Sequence, residues 1–195
     1  MAILIAQENM IDLTEYSNRY NEIMDLLISG YYDALMLQTI DEIRPESKNY
    51  AGASFMALVH VSELLKRDLA LTIWRIYVDS DPKANTIKHL NDFLRRNGVE
   101  TQQKLTLSNR ALKEKLERVR NSFLAHNDVK KSDVTIDISD LYIALDEIRL
   151  MLNGLCFPNI DPKVTQLTDQ MNNNLSFDAK IGLGLLLQGY SGKRE

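Results

Sequence analysis

The chain predicts an all-α fold, an up-and-down-like helical bundle of four to five long helices with shorter helices between them, in a single domain spanning 1–195. Three observations predict it. Four Pro and eight Gly punctuate 195 residues, too few for a turn-rich β fold. Apolar residues recur at spacings of three and four through most of the chain. The polar clusters between these stripes lie far enough apart for helices of several turns.

The first stripe places a long helix over 11–43, with Tyr20, Ile23, Leu27, Tyr31 and Leu35 on one face and Gly30 as a mild weak point. Arg44-Pro45-Glu46-Ser47-Lys48-Asn49 is a polar break. Residues 52–78 are apolar on more than one side (Phe55, Met56, Leu58, Val59, Leu65, Leu69, Leu71, Ile73, Ile76), the pattern of a central, heavily buried helix. Asp79-Ser80-Asp81-Pro82-Lys83 ends it. Asn85 or Thr86 then serves as N-cap for a short helix, which Asn97-Gly98 closes.

Leu112, Leu116, Val119, Phe123 and His126 step by four, three, four and three around 108–126. Leu141, Leu145, Ile148, Leu152 and Leu155 form a similar stripe around 139–156. Both suit helix-on-helix packing. Asn127 to Asp137 is a charged connection in which 133–137 alternate enough for a short extended piece. Phe157-Pro158-Asn159-Ile160-Asp161-Pro162 ends the fifth helix. Phe177 to Leu187 forms a last apolar helix, which either docks on the bundle or joins a subunit contact, as does the tail 177–195 more broadly.

Composition narrows the function classes. An apolar share of 45% and a charged share of 26% are those of an ordinary globular protein, and the length suffices for a core without staples. Cys156 is the only cysteine, so no intrachain disulfide is expected, which suits a reducing cytosol and a cytoplasmic location. The apolar start Met1-Ala2-Ile3-Leu4-Ile5-Ala6 lacks a basic flank and is too short for a secretory signal. No apolar run approaches the ~20 residues of a membrane span, so no membrane partner is expected. A net charge of −4 disfavours a protein that coats nucleic acid broadly. A local basic patch remains compatible with action on RNA.

One stretch carries chemistry: Arg120-Asn121-Ser122-Phe123-Leu124-Ala125-His126. His126 occupies a stripe position where periodicity asks for Leu or Ile, and Arg120 stands at the stripe's edge. Six helical residues advance ~9 Å and turn about 240° net, so the two side chains do not point the same way. Unwinding near Ala125-His126 would bring them together, and so would two copies of the helix packed across a twofold. A His titrates near ~6.5 and exchanges protons at neutral pH, while Arg presents a planar fork that matches phosphate. Together they suit metal-independent RNA cleavage. The imidazole takes the proton of a ribose 2′-hydroxyl, and the guanidinium steadies charge on the phosphoryl oxygens. Asn121 can orient His126 or bind a phosphate oxygen.

Arg120-Asn121, four intervening residues and His126, near the end of a late helix, resemble the signature of the HEPN superfamily of helical domains. The wider run Arg118-Val119-Arg120-Asn121-Ser122-Phe123-Leu124-Ala125-His126-Asn127-Asp128 resembles its AbiU-like abortive-infection branch. The resemblance implies a homodimeric, metal-independent endoribonuclease or RNA-binding domain of antiviral defence or toxin–antitoxin systems, with an antitoxin or defence-system protein as partner. Arg120, Asn121 and His126 would be its catalytic set. Some members of that superfamily only bind RNA or only dimerise, so a non-catalytic helical interaction module is the rival reading.

Each assignment has a plainer alternative. His126 can be a hydrogen-bonded core or helix-end residue, and Arg120 can pair with Glu117. The helix over 109–120 carries Arg110, Lys113, Lys115, Arg118 and Arg120 against Glu114 and Glu117. These form an RNA track including Lys115, or, on the stronger pattern, a solvated face of i,i+4 pairs. Lys130 and Lys131, beyond His126, are the better phosphate ligands. His60 and His89 read as structural or exposed, Asp79 and Asp81 as turn residues, and Trp74 and Tyr77 as core. Cys156 has no basic neighbour to make it a nucleophile. No metal-ligand spacing, Gly-rich phosphate loop or nucleophile elbow occurs, so no metal and no cofactor are expected.

Overall fold

A computed structural model describes residues 13–47, 53–99, 101, 105–124 and 136–155. They form five helices and, among the described residues, no strand: α1 (Leu13–Ser47), α2 (Ala53–Tyr77), α3 (Ile87–Arg96), α4 (Arg110–Leu124) and α5 (Ile138–Leu155). The all-α expectation holds, with four long helices and one short. Cys156, most of the extended piece expected over 133–137, and the apolar segment 177–187 lie outside the described residues. No described helix is long and apolar enough to cross a membrane.

The described helices group into two compact units, one built from residues within 1–29 and 70–160, the other within 30–69. In the first, α1 lays Tyr16, Tyr20, Ile23 and Leu27 into a core with Ile73 and Ile76 of α2. Leu90 and Leu94 of α3, Leu112 and Leu116 of α4, and Leu141, Leu145, Ile148 and Leu152 of α5 complete it; all are essentially solvent-free. Tyr16 stacks near Tyr20 and Phe93, with ring centroids 6.1 Å away in both cases. Its hydroxyl donates to the carbonyl of Leu155, and that of Tyr20 donates to Leu152 O at 3.5 Å. These carbonyls belong to the last turn of α5, where no intrahelical donor follows. Two aromatic side chains thus fill the core and cover helix-end acceptors together.

The short helix is capped at both ends as the sequence foretold. Thr86 Oγ1 accepts from His89 N at 3.2 Å. At the other end Val99 N bonds Leu94 O at 3.0 Å and Gly98 N bonds Arg95 O at 3.1 Å, the Schellman pairing. Gly98 takes φ 77°, the left-handed backbone that a Cβ disfavours. α4 begins at Asn109, whose Oδ1 accepts from Leu112 N, and Ser108 N donates to Glu147 of α5 at 2.9 Å. Asp137 starts α5 by accepting from Ser139 N and Oγ. Those bonds hold its carboxyl below the usual carboxylate range.

Three expectations need correction. The polar break at 44–49 comes late, because α1 runs through Pro45 to Ser47; in a final turn the ring forfeits one i→i−4 bond rather than a helix. The buried face of α1 continues past Leu27 as Gly30, Ala34 and Leu37, with Tyr31 and Leu35 half-buried at its flank. Steps of 4, 3, 4, 3, 4, 3 from Tyr16 keep one seam inward, whereas successive steps of four drift off it. Finally, α2 is heavily buried only from Leu69 to Ile76. Met56 is 65% and Leu64 44% exposed. The described part of the second unit holds two helices, and one helix covers only one stripe of another.

In that second unit Asp33 of α1 is half-buried. Burial, and then the carboxylate of Asp68 on α2, push its carboxyl from 3.8 up to about 6. A carboxyl that holds its proton more tightly when folded contributes stability that is complete below the unfolded pKa and lost as pH rises through about 6. Asp33→Asn is therefore expected to melt higher than wild type at about pH 7.5, with the gap closing toward about pH 3.5. A difference in melting temperature that is constant across this range would refute the assignment.

Candidate functional site

α2 and α4 meet through two aromatic side chains one turn apart on α2. Tyr77 Oη accepts from Leu107 N at 3.2 Å and lies 3.5 Å from Leu105 O, to which it donates. This ties down the segment that leads into α4. Trp74, half-buried, lies under Arg120, whose Cζ is 5.0 Å from the indole centroid. A guanidinium at that distance feels the negative face of the ring. Arg120 Nη1 donates to Asn121 Oδ1 at 3.0 Å, which fixes the fork from the side.

The arrangement borders an open cleft of ≈ 510 Å³. The end of α2 and the turn from Val78 to Pro82 form one wall; Glu117, Arg120 and Asn121 of α4 form the other. Asp79 Oδ1 accepts from Asp81 N at 3.0 Å, and Asp81 Oδ1 from Lys83 N at 2.9 Å, so both carboxylates shape the turn, as read from sequence. Among the described residues no group of three His, Cys, Asp or Glu is placed to hold a metal ion.

Of the residues singled out, Arg120 and Asn121 come together here. Asn121 orients Arg120 in this structure, a pairing not foreseen. The plainer alternative, an Arg120–Glu117 ion pair, does not close among the described residues; the guanidinium takes the indole face instead. Lys115 is not in the cleft: it pairs with Asp140 of α5 at 3.8 Å. None of the i,i+4 pairs foreseen along α4 closes as an ion pair among the described residues, as suits exposed charges whose ordering offsets the Coulomb gain. His126, Lys130 and Lys131 lie outside the described residues. The chain matches no family model, no curated protein and no solved structure. Its site must be argued from its own residues.

Trp74 is the cleft side chain that the pattern missed. Its setting on α2 reads as core, yet it forms the floor under Arg120 and borders the cleft. The available signal was its place four residues before Val78, one turn from the polar turn that ends α2. A double-mutant cycle of Trp74→Leu and Arg120→Gln in urea unfolding is expected to give a coupling of about 0.5–1 kcal/mol, the size of a partly exposed cation–π contact. Strict additivity of the two changes would contradict the contact.

Proposed function

We propose that the chain is a HEPN-like, metal-independent endoribonuclease of a phage-defence or toxin–antitoxin system, working as a homodimer. The observation that supports this reading is the posture of Arg120. Its charge faces a cleft, held by an indole and an amide rather than neutralised by a carboxylate. A guanidinium so fixed suits the charge that builds on phosphoryl oxygens in the transition state, because little reorganisation is needed when the charge appears.

In this proposal His126 takes the proton of the ribose 2′-hydroxyl, and the 2′-oxygen attacks the adjacent phosphorus. The bond from phosphorus to the 5′-oxygen breaks and that oxygen leaves with the proton returned by the imidazolium, so a 2′,3′-cyclic phosphate remains. Arg120 binds the phosphoryl oxygens and Asn121 keeps its fork in position. Two copies related by a twofold would each supply this set to one composite cleft.

One feature favours a different reading. Asp79, Asp81 and Glu117 share the cleft walls with Arg120, so its carboxylates outnumber its cations, and a polyanion meets repulsion there. That balance suits a non-catalytic interaction module whose Arg120 pairs with a protein partner.

Incubation of a mixed RNA pool in EDTA separates the two. Cleavage by wild type is expected to fall about 10²–10³-fold in Arg120→Ala and about 10²–10⁴-fold in His126→Ala, with the dimer intact by light scattering. Inactive wild type, or variants as active as wild type, would leave the interaction module as the better description.

A further inference from the structure

A second cleft in the same unit has the opposite charge. It encloses ≈ 560 Å³ and is lined by Arg19, Pro82, His89, Asp92, Arg95 and Arg96. Three guanidiniums and an imidazole face one carboxylate, in a chain whose net charge is −4. The volume falls within the ~300–1,000 Å³ of clefts that hold ligands.

The polar atoms are arranged as a receptor would need them. Arg19 is already engaged at the cleft's edge: Nε and Nη2 meet Glu15 Oε1 at 3.0 and 2.8 Å as an i,i+4 ion pair, and Nη1 bonds Asn85 Oδ1 at 3.1 Å, so the charge open to a ligand is that of Arg95 and Arg96. Among the described residues Arg96 engages its Nε alone, with the carbonyl of Asp92 at 3.3 Å, which turns both terminal amino groups of the fork to a ligand. Arg95 is exposed, and neither Arg95 nor Arg96 has an ion pair among the described residues. His89 Nδ1 donates to Ala84 O at 2.7 Å, which leaves Nε2 of the neutral ring as an acceptor suited to a ribose hydroxyl.

A plainer role exists for part of this. Arg95 and Arg96 sit in the last turn of α3, where positive charge complements the negative end of the helix dipole. That accounts for one turn of α3. It does not account for Arg19, delivered from α1, or for His89, two turns earlier.

We infer that this cleft, built by Arg19, His89, Arg95 and Arg96, holds the phosphodiester backbone of single-stranded RNA. The inference rests on the nuclease reading for the identity of the polyanion, and on the cleft alone for its location. Pro82 belongs to the walls of both cavities. A strand leaving the basic cleft over Pro82 arrives at Trp74 and Arg120. Affinity would then reside where the cations outnumber the carboxylates, and the acidic turn at Asp79–Asp81 would need to accommodate only the short stretch beside Arg120. Lys113 and Lys115 of α4, and Lys130 and Lys131 further along the sequence, are not needed for binding.

The test is fluorescence anisotropy of a labelled single-stranded 2′-O-methyl RNA, which lacks the attacking hydroxyl and cannot be cut. Wild type is expected to bind with a salt dependence of several phosphate contacts. The double variant Arg95→Gln/Arg96→Gln should bind about tenfold or more weakly, with a log–log salt slope shallower by about 1.4, since each contact on a single strand contributes ~0.7. Arg95→Lys/Arg96→Lys should retain most of the affinity. Circular dichroism melts check that the variants fold; the wild-type salt slope stands independently of any variant.

No binding by wild type at low salt, or equal affinity in the Gln variant, overturns the inference even if RNA is cleaved in EDTA. Weakened binding in the Gln variant of a protein that never cleaves RNA upholds the inference and removes the nuclease.

Discussion

Tyr77 and Trp74, three residues apart on one face of α2, hold the approach to α4 and its far end. The phenol hydroxyl both accepts from Leu107 N and donates to Leu105 O, two backbone groups that would each cost about 1–3 kcal/mol if left buried without partners. The indole lies beneath Arg120 ten residues into α4. Because the first contact sets where α4 begins and the second which way its charged face turns, the cleft inherits its geometry from α2. Glu147 supports the same approach from α5 through Ser108 N. Tyr16 and Tyr20 close the end of α5 against α1. Each of these bonds places an aromatic or acidic side chain on a backbone group that helix formation leaves unsatisfied.

Much of this fold was legible in the sequence because its causes are local. Stripes such as Leu141, Leu145, Ile148, Leu152 and Leu155 are buried as their spacing required, and Thr86 and Asn97-Gly98 bracket α3 where capping chemistry put them. Failures came where the decision lies elsewhere in the fold. Pro45 reads as a break but occurs in a turn that tolerates it. The first half of α2 is as apolar as its second half, yet exposure depends on how many neighbours face it, which composition does not record. In the site, Arg120 and Asn121 were legible as an unusual pair at the edge of a seam. That Asn121 would brace Arg120, and that Trp74 would lie beneath it, required the angle between α2 and α4. The basic cleft was illegible for the same reason: Arg19 and Arg95 lie 76 positions apart in sequence, on different helices.

Charge is distributed unevenly around the turn from Asp79 to Asn85. On one side Asp79, Asp81 and Glu117 surround a single guanidinium; on the other three guanidiniums and His89 surround Asp92. Asn85 links the turn to α1, donating to Glu22 and accepting from Arg19. A turn stiffened by its own carboxylates, with Asp81 O also accepting from Ala84 N at 2.9 Å, can separate two clefts of different character without a large insertion. For a chain whose overall charge repels polyanions, such segregation gives a local field that net charge alone conceals.

On the proposed function, Arg120, resting on Trp74, is the group that meets a phosphate. The decisive measurement is a crystal structure of the full chain with a short RNA bearing a single 2′-deoxy substitution at the cleavage position. A phosphoryl oxygen is expected at roughly 2.7–2.9 Å from the Arg120 fork, with the guanidinium still over the indole and Asn121 still bonded to it. RNA density remote from Arg120, or a guanidinium turned away to Glu117 while the RNA is bound, would rule that role out.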